Sequence, residues 1–236
     1  MTNPIILNND QISDLLNIPD CIDVIEDLFK QYYKHEHCGL IQMPPKVYLD
    51  IENGDFRSMP ALVKDTAGIK WCGVHMDDTG TKRKVNIFAK VLINDVGTGE
   101  LLAIMDGEII TAIRTAAVTA VATKYMSRPD ATVGAFIGCG NQTRSQIEAV
   151  LRVRDLAKLH LFDLSKERAQ SLAKRFPDRD ICVCDSLEEC LYEADIVTTL
   201  TPSRKGFVHH DWLKPVVHIN ACLLYTSDAA DDLTRV

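Results

Sequence analysis

The sequence predicts an α/β fold of two dissimilar parts: an N-terminal α/β domain with largely antiparallel strands, and a C-terminal domain built on a parallel sheet. Three observations predict it. Apolar runs joined by turn signals crowd residues 47–105, with Asn53-Gly54 and Gly97-Thr98-Gly99 as the turns. From Val133 onward, short apolar runs alternate with amphipathic stretches, the pattern of βαβ units. Between them lies a small-residue helix, Glu108 to Met126, with Ala112, Ala116, Ala117, Ala120 and Ala122, whose lack of bulk allows a close neighbour.

The elements follow in order. Ile5 to Leu7 reads as a short strand, and Asn9 or Asp10 as the cap of a helix through Leu16. Pro19 opens a longer helix with Ile22, Ile25, Leu28, Phe29 and Tyr32 on one face, ended by Gly39. Strands are predicted over Val47 to Ile51, Phe56 to Leu62, Gly68 to Val74, Val85 to Asn94 and Leu101 to Met105, with a polar loop from Asp77 to Lys84. After Pro129, strands at Val133 to Ile137, Leu159 to Phe162, Ile181 to Cys184, Ile196 to Leu200 and Val216 to Ala221 alternate with helices at Ser165 to Phe176 and Leu187 to Glu193.

The stretch Ala131 to Gln146 carries the chemistry. An apolar run ends abruptly in Gly138-Cys139-Gly140, and an amphipathic segment with Ile147, Val150 and Leu151 follows. Strand, glycine turn and helix together form the entry to a dinucleotide-binding unit. Gly138 permits the turn, Gly140 lets backbone approach a pyrophosphate, and the helix start supplies free N–H groups. Thr143 stands where the usual third glycine would be. Asp163 closes the second strand at the position where an acid accepts hydrogen bonds from ribose hydroxyls; capping of the next helix is the competing reading. An acid there favours NAD, with NADP as the alternative because Lys166 and Arg168 are near. The C-terminal half therefore reads as an incomplete Rossmann-like domain.

The 236 residues suffice for one large or two ordinary domains, and the net charge of −7 argues against nucleic-acid or anionic membrane partners. No apolar run is long enough to span a bilayer, and Met1-Thr2-Asn3-Pro4 does not open a signal peptide. Eight cysteines scattered without a CxxC pair fit a reducing, cytoplasmic setting. Cys182-x-Cys184 puts two thiols on one strand face. Paired metal ligation is the competing reading; reduced buried thiols are the expected one, and no metal site is assigned. The last residues, 224–236, continue no periodicity and resemble a translated sequencing adapter. Residues 223–236 are therefore expected to be a non-native tail, with 1–125 and 126–222 as the two domains.

Several stretches together resemble the ornithine cyclodeaminase/mu-crystallin family: Met59-Pro60-Ala61, Gly68-Ile69-Lys70-Trp71, Asp95-x-x-Thr98-Gly99, Ile110 to Ala117, Gly138-Cys139-Gly140-Asn141-Gln142, Asp195 to Thr199, and His218-Ile219-Asn220-Ala221. The resemblance implies an N-terminal domain that dimerises and holds substrate, a dinucleotide domain, and chemistry at the α-carbon of an amino or imino acid. It implies that Lys46, Lys70 and Arg114 face the substrate, with Arg114 clamping its carboxylate and within reach of a cofactor phosphate. Asn86, Asn141, Gln142, Asp163 and Thr201 match the family's cofactor contacts. The reaction implied is the deaminating cyclisation of ornithine, with an amino-acid dehydrogenase or ketimine reductase as the alternative and dinucleotide binding without turnover as a third reading. Two departures stand out. Arg57 occupies a place where ornithine cyclodeaminases carry an acid, and Leu223-Leu224-Tyr225 replaces the glycine-rich turn that precedes the family's catalytic aspartate. No catalytic residue is therefore assigned.

Overall fold

The computed structural model describes residues 3–34, 41–77, 84–203 and 206–222. The chain forms two compact units: Met1–Asn17 with Glu26–Thr111, and Ile18–Ile25 with Ala112–Val236.

The first unit contains β1 (Ile5–Leu7), α1 (Asn9–Leu15), β2 (Ile41–Gln42), β3 (Val47–Ile51), β4 (Gly54–Val63), β5 (Thr66–Asp77), β6 (Lys84–Asp95) and β7 (Leu101–Asp106). Its seven-stranded sheet has the order β1-β7-β6-β5-β4-β2, with β3 also paired to β4. The pairings are antiparallel except that β1 runs parallel to β7. Helix α1 is capped one residue earlier than the sequence predicts. The Asn8 side chain accepts from the Gln11 N–H while the Gln11 side chain returns to the Asn8 N–H, and this reciprocal pair outcompetes Asn9. Gly39 and the centre of the predicted loop after Asp77 lie outside the described residues.

The register of this sheet sorts its side chains. Lys70 pairs with Met59 on one side and Val91 on the other, and it alternates with Trp71 so as to share a face with the buried Cys72 and Val74. Lys46 immediately precedes Val47, which pairs with Ser58, so Lys46 falls in the row of Met59 and Lys70. Asn86 pairs with His75 and belongs to the opposite face, with Trp71 and Phe88.

The second unit carries β8 (Val133–Ile137), α4 (Thr143–Val153), β9 (Lys158–Phe162), α5 (Lys166–Ala173), β10 (Asp180–Val183), α6 (Leu187–Tyr192), β11 (Ile196–Thr199) and β12 (His218–Ala221). Its sheet is wholly parallel in the order β10-β9-β8-β11-β12. The strand order thus reverses between β8 and β11, and in open α/β sheets ligands bind beyond the strand ends at such a reversal. One side buries Phe136, Ile147, Val150, Leu159, Leu161 and Ile196, and the other buries Ala135, Ile137, Cys190, Leu191 and Val197.

The long helix α3 (Gly107–Met126) begins in the first unit, and its residues from Ala112 belong to the second, as do Ile18–Ile25 of α2 (Ile18–Lys34). The division therefore falls inside α3, whereas the sequence pattern places a boundary at 126. The alanine face is the reason: Ala116, Ala117 and Ala120 are fully buried with Ile22, Val121 and Ala149. Helix α5 also stops at Ala173, short of the predicted Phe176, and Arg175 and Phe176 close it in tight turns.

Asp195 locks the entry to β8. One carboxylate oxygen accepts from the N–H groups of Thr132 and Val133 at 2.9 and 3.0 Å, and the other meets Lys214 Nζ at 2.6 Å. Burial pushes this carboxyl up, but Lys214 and the two N–H groups outweigh it and hold it below the ordinary value. Its stabilising contribution is therefore present above the unfolded pKa of about 4 and lost as pH falls through the lowered folded value. Asp195→Ala should cost about 2–3 kcal/mol at neutral pH, discounted for the partly exposed lysine. Urea unfolding should show that deficit shrinking as the pH drops from about 5 to about 3.

Candidate functional site

The turn after β8 is the centre of the site in the second unit. Gly138 has φ of +93°, and a Cβ there would stand 2.7 Å from the Leu200 carbonyl oxygen, so only glycine fits. Its N–H donates to the Phe162 carbonyl at 2.8 Å. Thr143, at the place of the missing third glycine, donates its hydroxyl to the Gly138 carbonyl at 2.6 Å and is fully buried. A side chain thus closes the turn that close backbone packing would otherwise close. Gly140 faces open space, with no atom within 4 Å of the point where a Cβ would stand. The N–H groups of Gly140, Asn141 and Gln142 have no backbone acceptor among the described residues, and α4 begins directly after them. This is the form of a helix-start anion cradle.

Asp163 sits at the end of β9, as its spacing predicts, and joins two turns. One oxygen accepts from the Cys139 N–H at 2.7 Å and the other from the Ser165 N–H at 2.8 Å. Each oxygen retains a lone pair for a further donor. Ser165, not Asp163, is the N-cap of α5. Burial, with Asp163 close by, pushes the Cys139 thiol up to about 12, so it is a neutral packing group at ordinary pH. Thr201 follows β11 and packs its methyl against the Gly138 turn. Gln142 precedes α4 with its Oε1 buried and unpartnered among the described residues, and it makes no cap bond. A buried acceptor and unpaired N–H groups thus lie together at this turn.

Arg114 projects from α3 with its side chain exposed, and among the described residues it makes no ion pair or hydrogen bond. The protein around its base lowers its pKa by desolvation, opposed by Cys222. Sequence reasoning missed this last partner. Cys222, just past β12, lies 3.1 Å from Thr119 Oγ1, one turn along α3 from Thr115, and 3.8 Å from Gln146 Oε1. The end of β12 therefore emerges at the helix that carries Arg114. A cysteine after an Asn-Ala strand offers no sequence signal for this contact; only the strand order reveals it.

In the first unit, Lys70 is half-buried with its Nζ 3.4 Å from Thr111 Oγ1. It is not the outward-facing residue that alternation alone allows. Lys46 is exposed at the head of the same row. Arg57 shares that face, and its guanidinium is taken up by Asp55, with a second contact at 2.9 Å, and lies over the Tyr48 ring. A groove of about 540 Å³ also lies in this unit, lined by Phe56, Trp71, Ile87, Phe88 and Asp106, but it includes none of Lys46, Arg57 and Lys70. Asn86 belongs to the Trp71 face and is not brought together with Lys70.

Comparison with known proteins places this geometry. The sequence model of the ornithine cyclodeaminase/mu-crystallin family matches residues 2–232. An alanine dehydrogenase from Archaeoglobus fulgidus is 35% identical over 217 residues, which cover 92% of this chain and 66% of that protein. A solved archaeal alanine dehydrogenase dimer with bound NAD superposes with a TM-score of 0.83 at 35% identity, over 92% of this chain and 67% of its own. The Δ1-pyrroline-2-carboxylate reductase of Thermococcus litoralis, solved with NADH and L-proline, gives 0.83 at 29% identity, over 91% and 67%. The chain thus spans about two thirds of the length of these relatives. No helix among the described residues is long and apolar enough to cross a membrane.

The turn geometry makes a direct prediction. Gly138→Ala should destabilise the fold by at least about 2 kcal/mol, through left-handed strain and the Leu200 contact, whereas Gly140→Ala should leave the urea midpoint nearly unchanged.

Proposed function

Because this chain belongs to the ornithine cyclodeaminase/mu-crystallin family, we propose that its protein is an NAD-dependent enzyme working at the α-carbon of an amino or imino acid, in a homodimer. The observation that carries the reading is the turn at Gly138, with free N–H groups after it and Asp163 at the end of the neighbouring strand. Gly140, Asn141 and Gln142 would hold the pyrophosphate, and Asp163 the adenosine ribose, while it keeps its grip on the turn. Thr201 lines the same turn. The nicotinamide, when bound, supplies hydride transfer. The chain's own residues bind and orient. Arg114 has the planar fork and the exposure to take a substrate carboxylate, and it has no competing acid among the described residues. Lys46 and Lys70 share a sheet face and supply positive charge suited to an anionic substrate.

Among the reactions of the family, the oxidoreductase reading is preferred over the cyclodeaminase one. Arg57 stands in place of the acid of ornithine cyclodeaminases and takes up the neighbouring Asp55, so that position offers a cation and not a carboxylate to a second substrate amine. The identity to an alanine dehydrogenase supports the same choice. The homodimer is supported by the exposed Val47, Leu49, Phe56 and Phe88 of the first unit and by the dimeric relative. A cytoplasmic setting is proposed on the seven free thiols of the described residues.

Three measurements test this. NADH titrated by fluorescence should bind wild type and bind Gly140→Ala at least about tenfold more weakly at unchanged stability, since the added methyl occupies the cofactor's approach. Asp163→Ala should weaken NADH by about 1–3 kcal/mol, and Asp163→Ser should shift preference towards NADPH; equal affinities throughout would remove the ribose assignment. Arg114→Lys should lower kcat/KM for an amino or imino acid markedly, and Arg114→Ala by about 2–4 kcal/mol in transition-state terms, with the melting temperature almost constant. Normal turnover with a large melting shift would make Arg114 structural.

A further inference from the structure

Strand β10 is an edge of the parallel sheet, and its thiols form a cluster that the proposed activity does not use. Cys182 and Cys184 present both sulfurs to one face, 3.9 Å apart. Glu189, on α6 across that face, brings a carboxylate oxygen so that all three ligand atoms lie within 4.8 Å of one another. The same carboxylate accepts from the Asp185 N–H at 2.7 Å, which leaves its other oxygen available.

A second observation lies beside the cluster. His160 pairs with Cys182 in the sheet and lines the same recess as Cys182 and Glu189. It is 4% exposed. Its Nδ1 lies 3.1 Å from the Cys190 carbonyl oxygen, which can only accept, so Nδ1 carries the proton. Nε2 is buried and has no hydrogen-bond partner among the described residues. A backbone carbonyl holding one ring N–H while the other nitrogen presents a lone pair is how metal-binding imidazoles are fixed.

We propose that Cys182, Cys184 and Glu189, with His160 beside them, form a site for a thiophilic divalent cation, zinc fitting best. Thiolate–zinc bonds of about 2.3 Å in a tetrahedron set sulfurs about 3.8 Å apart, close to the spacing present. Two sulfurs and a carboxylate are a donor set for zinc rather than for magnesium or calcium, which take oxygens. Glu188 and Glu193 also border the recess and favour a cation, against Lys158 alone. Binding replaces each thiol proton with a sulfur–metal bond, and the protons leave to solvent, so affinity rises with pH. The bound ion would tie the unpartnered edge of β10 to α6.

The test uses the reduced, metal-free chain and needs no dinucleotide, so it is independent of the proposed activity. Anaerobic titration with Co²⁺ should give one equivalent of tetrahedral, thiolate-to-cobalt charge-transfer absorption, which Zn²⁺ then displaces. Cys182→Ser and Cys184→Ser should each abolish or strongly reduce it, and Cys21→Ser should leave it intact. Glu189 is exposed, so Glu189→Gln should fold as wild type by circular dichroism, yet bind Co²⁺ at least about tenfold more weakly. Absence of the charge-transfer band in wild type, or a band untouched by Cys184→Ser and Glu189→Gln, would overturn the site.

Discussion

The second unit depends on the backbone constraint at Gly138. Its N–H is held by the end of β9, its carbonyl by the Thr143 hydroxyl of α4, and its α-carbon lies against the carbonyl that ends β11. Three elements therefore meet at one residue whose φ is closed to any side chain without strain. Once this position is set, the following N–H groups cannot pair with the strand they leave and have not yet joined the helix they enter. Their freedom is a consequence of the turn. Asp163 adds the complementary restraint, because its two short hydrogen bonds bind the loop after β8 to the loop after β9. The structure supplies polar order at the loops while the strands beneath supply burial.

The alanine-rich α3 plays the corresponding part for Arg114. Alanine contributes helix propensity with almost no bulk, so Ala116, Ala117 and Ala120 come into full contact with Ala149 and Ile22. A helix held this closely presents its remaining side chains at fixed positions. Thr119 meets Cys222 at the end of β12, and Thr123 accepts from Asn220 Nδ2 at 3.0 Å, while Asn220 Oδ1 lies 2.9 Å from His218 Nε2. Burial lowers the His218 pKa, against the Asn220 contact, which leaves a neutral ring in this polar chain. The network aligns the last strand with α3 through polar contacts that are satisfied away from water, where an unmet partner would be costly.

Most of this architecture was legible because it rests on short-range patterns. Alternation, the Asn-Gly turn and glycine pairs delimit the strands of both sheets, and the apolar run ending in Gly138 marks the turn into α4. What was not legible depends on contacts distant in sequence. Nothing near Asn8 signals that it, and not Asn9, closes α1 through Gln11. Nothing near Thr143 signals that a hydroxyl would replace a glycine by bonding the carbonyl five residues back. The faces of Lys70 and Asn86 are readable only from the register of β5 with β6, which neither strand contains alone. The alanine run announced a close neighbour without naming it, and the neighbour, α2, lies about 90 residues upstream.

The distribution of charge limits which chemistry this scaffold can host. Under the proposed reading the substrate brings a carboxylate, and the residues matched to that group are cations: Arg114, without an acidic partner among the described residues, in the second unit, and Lys46 and Lys70 in one row of the first. A diamine substrate brings a second positive charge and needs an acid to receive it. On the face that carries Lys70, Asp55, beside Arg57, is committed to that guanidinium. Freeing Asp55 would strand a half-buried guanidinium, so the pair is a stable neutral unit rather than a reserve of negative charge. What a ligand meets at this position is therefore set by one side chain, Arg57, on one sheet face and not by the fold.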